Sequence, residues 1–189
     1  MSRILVYTTP ARGHLFPVTP IMDELHRRGH DIALRTLGSR VPMMRERGFD
    51  AAPIDPRIEE IAINDYLGRT PLDAQKRAMR AFCERARFDA VDLKTAIEEF
   101  NPDALLIDIN AWGALTVAEK WGGPWASWCP YPLPVPSRDA PPLGPACVQS
   151  RARSGRCATR SRGRSSSAHL SELWLRGSTR CASNSICRR

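Results

Sequence analysis

Residues 3–30 read RILVYTTPARGHLFPVTPIMDELHRRGH, and this stretch decides the fold class. Residues 3–9 form a short β-branched and apolar run of the kind found in a buried parallel strand. A turn-rich segment, 10–14, follows. Val18, Ile21, Met22 and Leu25 then recur at i, i+3, i+4 and i+7, the spacing of one helix face, with Arg27 and Arg28 in the last turn and Gly29 as the stop. A second strand at 30–36 (HDIALRT), a short helix at 41–47 closed by Gly48, and a third strand at 49–54 complete a βαβαβ unit. That order predicts an α/β fold: a doubly wound, Rossmann-like parallel sheet.

Beyond it, Leu72, Met79, Phe82, Ala86, Leu93, Ile97 and Phe100 keep steps of three, four or seven, which fits one long helix or two helices broken near 88–90. Asn101 and Pro102 end it. Residues 104–109 (ALLIDI) read as another buried strand carrying Asp108 at its end, 114–121 as a helix stopped by Gly122 and Gly123, and 125–129 as a last short strand. From 130 to 145 the chain holds seven prolines, which suits only loop or linker.

A chain of 189 residues accommodates one α/β domain plus a tail. Its net charge of +8 is unevenly placed: residues 1–146 carry 18 Lys and Arg against 19 Asp and Glu, whereas 147–189 carry ten Arg, no Lys and the single acid Glu172. The expected division is therefore a Rossmann-like domain over 1–146, its proline-rich loop beginning at 130, and an Arg/Ser/Cys-rich tail over 147–189 without stable structure. Four of the six cysteines (Cys147, Cys157, Cys181, Cys187) lie in that tail; the isolated Cys83 and Cys129 suit a reducing compartment. With no signal-peptide pattern at the start and no run of about 20 apolar residues, a cytoplasmic protein is expected.

Open parallel sheets bind ligands at the carboxyl ends of their strands, so the segment TTPARGHLFP (8–17) is the first place to seek function. Neither GxGxxG nor GxxxxGK[ST] is present, which disfavours dinucleotide dehydrogenases and P-loop ATPases. His14 falls at a helix start, where the positive end of the helix dipole favours a neutral, proton-accepting imidazole. Asp108, ending a strand of the same sheet, could come near it and orient its tautomer. The spacing equally fits a plainer arrangement in which His14 caps a helix and Asp108 closes a strand.

The block Gly13-His14-Leu15-Phe16-Pro17, followed by Glu24-Leu25-His26-Arg27-Arg28-Gly29-His30-Asp31-Ile32, resembles the opening of GT-B nucleotide-sugar-dependent glycosyltransferases, the UDP-glycosyltransferase and macrolide glycosyltransferase-like group. Residues 102–108 (PDALLID) and 118–124 (AEKWGGP) extend the resemblance over roughly 1–140. It implies that His14 is the general base for an acceptor hydroxyl, that Asp108 orients it, and that the sugar is transferred with inversion by direct displacement. It further implies a UDP- or dTDP-linked sugar as co-substrate, no metal or other cofactor, and a small, hydrophobic, hydroxylated molecule as acceptor. Gly13, Phe16, Phe82 and Trp112 are the candidate acceptor contacts. In this family the donor nucleotide binds mainly to a second Rossmann-like domain, which residues 147–189 do not resemble. The chain by itself is therefore expected to be inactive, with a separate donor-binding domain or chain as a conceivable partner. The abrupt Arg, Ser and Cys enrichment after about residue 146 is what a GC-rich gene read in a shifted frame would encode.

Other features carry plainer readings. His26 and His30 straddle Gly29 without a third ligand, and Cys181, Cys187 and His169 lack zinc-site spacing, so no metal site is expected. The Arg-rich tail suits nonspecific attraction to nucleic acid or anionic lipid, but a functionless tail is the simpler reading and no specific nucleic-acid partner is expected. Met79 and Phe88 fit core packing, as do most of Trp112, Trp121, Trp125 and Trp128; the PxxP at 142–145 fits a loop. The alternative to an acceptor domain is a non-catalytic small-molecule-binding fragment or an inactive truncated product.

Overall fold

The computed structural model describes residues 1–131, together with the backbone of 149–151 and 157–159. Five parallel strands, β1 (Arg3–Tyr7), β2 (Asp31–Thr36), β3 (Asp50–Pro53), β4 (Ala104–Asp108) and β5 (Trp125–Trp128), form one sheet in the order β3-β2-β1-β4-β5. β1 pairs with β2 through Ile4↔Ile32 and with β4 through Ile4↔Ala104, so the chain reverses its direction of travel across the sheet between β1 and β4. This is the doubly wound arrangement that the sequence predicts.

Side chains alternate across the pleat and divide the core in two. Leu5 and Tyr7, with Leu105 and Ile107, face helices α4 (Pro71–Phe100) and α5 (Trp112–Trp121). Val6, with Ile32, Leu34 and Ala51, faces α1 (Arg12–Arg27) and α2 (Val41–Glu46). A short α3 (Pro56–Glu60), which the sequence pattern did not announce, has Asp55 accepting from the Arg57 N–H as its cap and buries Ile58 against the α4 side.

Two helices differ from the sequence reading. α1 begins at Arg12 and runs through Pro17 and Pro20, both of which lack the N–H of an intrahelical bond. Leu15, Val18 and Met22 hold it to the sheet, and Ile21, expected inside, is 44% exposed. The seam starts one turn earlier than the spacing suggested, at Leu15, and this rotates Ile21 outward.

α4 is one continuous helix of 30 residues with no break at 88–90. Thr70 caps it, its Oγ1 accepting from the Asp73 N–H at 3.1 Å, and Asn101, in the left-handed region at φ 47°, ends it. Thr70→Ala is expected to cost about 1 kcal/mol, read as a small fall in thermal midpoint. Leu72, expected on the inner face, is exposed, while Arg85 and Asp89 are buried in mid-seam.

Gln149–Arg151 (β6) and Cys157–Thr159 (β7) pair antiparallel as a separate two-stranded ladder. The rest of the tail and the proline run from 132 lie outside the described residues, as do the expectations made for them, including Cys181, Cys187 and His169. No helix among the described residues is long and apolar enough to cross a membrane.

Candidate active site

The carboxyl ends of β1 and β4 lie side by side because their strands pair, and the turns that follow them make the site. After β1, the Thr8 hydroxyl donates to Thr36 Oγ1 at 2.9 Å and its N–H to the Arg35 carbonyl, which ties the turn to β2. Ala11 then opens α1 and places His14 in the first helical turn. After β4, the Asp108 carbonyl accepts from the Ala111 N–H and turns the chain into α5.

His14 and Asp108, 94 residues apart, meet in this cleft. His14 Nδ1 lies 2.8 Å from Asp108 Oδ2 and 3.0 Å from Oδ1. A carboxylate can only accept, so Nδ1 carries a proton, and in the neutral ring Nε2 is left with its lone pair. The Asp108 side chain is wholly buried, and its two oxygens also accept the N–H groups of Thr9 (3.1 Å) and Asn110 (2.9 Å). Four contacts therefore fix the carboxylate, and through it the plane of the ring.

Two residues that the sequence reading did not single out complete the arrangement. Asn110 Nδ2 is 3.4 Å from His14 Nε2, and the Tyr131 hydroxyl donates to Asn110 Oδ1 at 2.8 Å. The Tyr131 bond decides which end of the amide faces the histidine. The Tyr131 ring stands edge-on to the imidazole at 5.9 Å and 71°. Burial, with smaller contributions from Cys129 and Asp108, pushes Tyr131 up to about 12, so it stays a hydroxyl donor at neutral pH. The signal for Asn110 was its place two residues after Asp108; Tyr131 sits among prolines and gave no local signal.

The candidate acceptor contacts fall into two groups. Phe16, 46% exposed with the Arg40 guanidinium 6.0 Å from its ring, lies on the open face of α1, and a Cβ at Gly13 would meet nothing within 4 Å. Phe82 and Trp112 instead pack against each other at 5.4 Å between α4 and α5, both buried. Behind Asp108 lies a second polar group: Tyr7, Arg85, Asp89 and Asp92. Burial holds Asp89 up at about 8, Arg85 opposing, and also raises Asp92 and Tyr7. A cavity between the sheet and the last turn of α4 is lined by Arg3, Asp31, Arg35, Asp50 and Glu99, among others. There Arg3 pairs with Asp31, and Arg35 with Glu99.

The chain is 33% identical over 163 residues to 4'-demethylrebeccamycin synthase of Lentzea aerocolonigenes, covering 82% of this chain and 38% of that protein. It is 25% identical over 128 residues to L-demethylnoviosyl transferase of Streptomyces niveus, covering 65% of this chain and 33% of the relative. Among solved structures it matches the glycotransferase of kitacinnamycin, with 28% identity and a TM-score of 0.55, over 70% of this chain and 31% of that one. Its relatives are glycosyltransferases, and its fold is that of a GT-B domain. SsfS6 of Streptomyces sp. SF2575 shares the fold of this GT-B domain at a TM-score of 0.57 over 68% of this chain and 39% of SsfS6. No family model matches the chain. The chain spans less than two fifths of the length of the curated relatives it matches.

Proposed function

We propose that this domain binds a hydroxylated acceptor and activates it for inverting sugar transfer from a nucleotide-diphosphate sugar held by a second domain. The observation that carries the reading is the His14 ring, its Nδ1 tied to a fully buried carboxylate and its Nε2 free to accept a proton at the carboxyl edge of the sheet. The acceptor hydroxyl binds at Nε2 and displaces the Asn110 amide, which then donates to the hydroxyl oxygen. His14 removes the proton as that oxygen attacks the anomeric carbon from the face opposite the diphosphate. The carbon–oxygen bond to phosphate breaks, its electron pair leaves with the nucleoside diphosphate, and Asp108 stabilises the imidazolium. Exposed Phe16 supports a hydrophobic acceptor, and the names of the relatives support small natural products as its class.

The test joins this chain to the donor half of 4'-demethylrebeccamycin synthase and assays transfer from dTDP- and UDP-sugars to a panel of hydrophobic phenols and alcohols. Transfer that disappears with His14→Ala supports the reading; acceptor binding without any transfer favours a binding fragment. The chain alone is expected to bind acceptor, and not nucleotide, by titration calorimetry. In the fusion, Tyr131→Phe frees the Asn110 amide to turn over and is expected to lower kcat roughly three- to tenfold, the worth of one hydrogen bond, with little change in KM. We further propose that residues after about 146 come from a shifted reading frame. Translating the DNA beyond codon 140 in all three frames tests this, and the absence of any frame encoding a donor domain would overturn it.

A further inference from the structure

The start of α5 has no cap of its own, because Ala111 offers no side-chain oxygen to the first turn. The Gly113 N–H instead acts on Asp89, in the middle of α4, as a weak contribution that favours the ionised carboxyl and is outweighed by burial. Asp89 is 2% exposed. Around it stand the Tyr7 hydroxyl of β1, 3.5 Å from Oδ1, then Arg85 and Asp92 of α4, and Asp108 of β4. The single Tyr7 proton goes to Asp92 Oδ2 at 2.9 Å, and Arg85 donates to the Ile61 carbonyl, so neither is a full partner for an ionised Asp89. This one carboxyl therefore bridges the strand that leads into the His14 turn and the helix that follows the Asp108 turn.

We propose that Asp89 is a positioning residue for the His14–Asp108 pair: it anchors the β4–α5 turn through the Gly113 N–H and stands behind Asp108 as an uncharged acid. The inference rests on the reading of that pair as base and orienter. As an acid, Asp89 can donate its hydrogen to the Tyr7 oxygen, which donates in turn to Asp92. An ionised Asp89 would instead place a second negative charge beside Asp108 in dry surroundings, where it is poorly screened. The elevated titration near 8 agrees with the uncharged form at neutrality. The sign follows from linkage. Between the ordinary carboxylate range and about 8 the folded domain holds a proton that the unfolded chain lacks. This group's contribution therefore falls as pH rises through that window and levels off above it.

The experiment uses the full chain and its Asp89→Asn and Asp89→Leu variants. Thermal unfolding is followed between pH 5 and 9, alongside imidazole NMR with His14 assigned by His14→Gln. Asparagine keeps an acceptor for the Gly113 N–H and cannot ionise. Asp89→Asn is expected to leave the His14 resonance at pH 6.5 in place, to lose an inflection near pH 8 that the parent shows, and to lose less thermal stability between pH 5 and 8. Asp89→Leu is expected to shift the His14 resonance at every pH and to lower the midpoint throughout. A leucine variant with the parent's His14 resonance, or a parent and asparagine variant that titrate identically, overturns the proposal. Should the leucine variant fail to fold, the second comparison decides. Neither readout requires sugar transfer, so an inactive fusion would count against the function and leave this inference to its own test.

Discussion

Gly113→Ala is expected to cost at least about 3 kcal/mol and to lower the thermal midpoint by roughly 10 °C, or to prevent folding altogether. A methyl group built on Gly113 would sit 1.8 Å from the Ala86 carbonyl oxygen, 2.6 Å from its carbon and 2.9 Å from the Ala90 nitrogen. All three are backbone atoms of α4, so no side chain can rotate away, and relief requires α4 and α5 to separate. Separation would open the seam around Phe82, Ala86 and Trp112. Overpacking usually costs about 1–3 kcal/mol when side chains can adjust. Here they cannot, and a domain of this kind has only about 5–15 kcal/mol to lose. Circular-dichroism melts of the two proteins check this. A Gly113→Ala midpoint within about two degrees of the parent would mean that the helices are not pressed together as described.

The largest expected effect on activity belongs to the histidine pair, measured in the two-domain fusion. His14→Ala removes the group to which the proposed function assigns the acceptor's proton and is expected to lower kcat by about 10²- to 10⁴-fold, with the acceptor KM little altered. Asp108→Asn is expected to approach the same loss although it changes almost no volume. An amide nitrogen cannot accept, so one of the three N–H groups around the carboxylate, from His14, Thr9 or Asn110, would face another donor. The ring can relieve this by moving its proton to Nε2, which blocks the base. If the backbone donors are left unpaired instead, stability should fall by about 1–3 kcal/mol. Steady-state kinetics and melts on one preparation separate the two effects. Full activity in Asp108→Asn would show that the aspartate does not set the tautomer.

The sheet was legible because its strands are short apolar runs between turns, and their order admits few topologies. Most of what the pattern missed involves side chains that run against their local rule. Pro17 and Pro20 argue against a helix through 12–20, yet Leu15, Val18 and Met22 supply enough buried surface to hold one. Arg85 and Asp89 were left out of the α4 seam, although Asp89 lies three residues after Ala86 and four before Leu93, on the seam itself. Their burial was written in that spacing and was obscured by their charge. The contact between His14 and Asp108 could be suspected, because both follow strands of one sheet. The Asn110–Tyr131 bond could not, since it depends on where the chain goes after β5.

The position of β1 between β2 and β4 also bears on how the protein comes off the ribosome. Its second neighbour, Ala104–Asp108, is made nearly 70 residues after the β2 strand ends at Thr36. At roughly 5–20 residues per second the nascent chain carries β1 as an open edge for some seconds, its apolar face awaiting a partner. Only when β4 docks does that edge close, and the same event brings Asp108 up to His14. The hydrogen bond between them thus marks the closing of that edge, with β5 still to be added beyond β4, and a pulse-labelling experiment on stalled chains could use it as the clock.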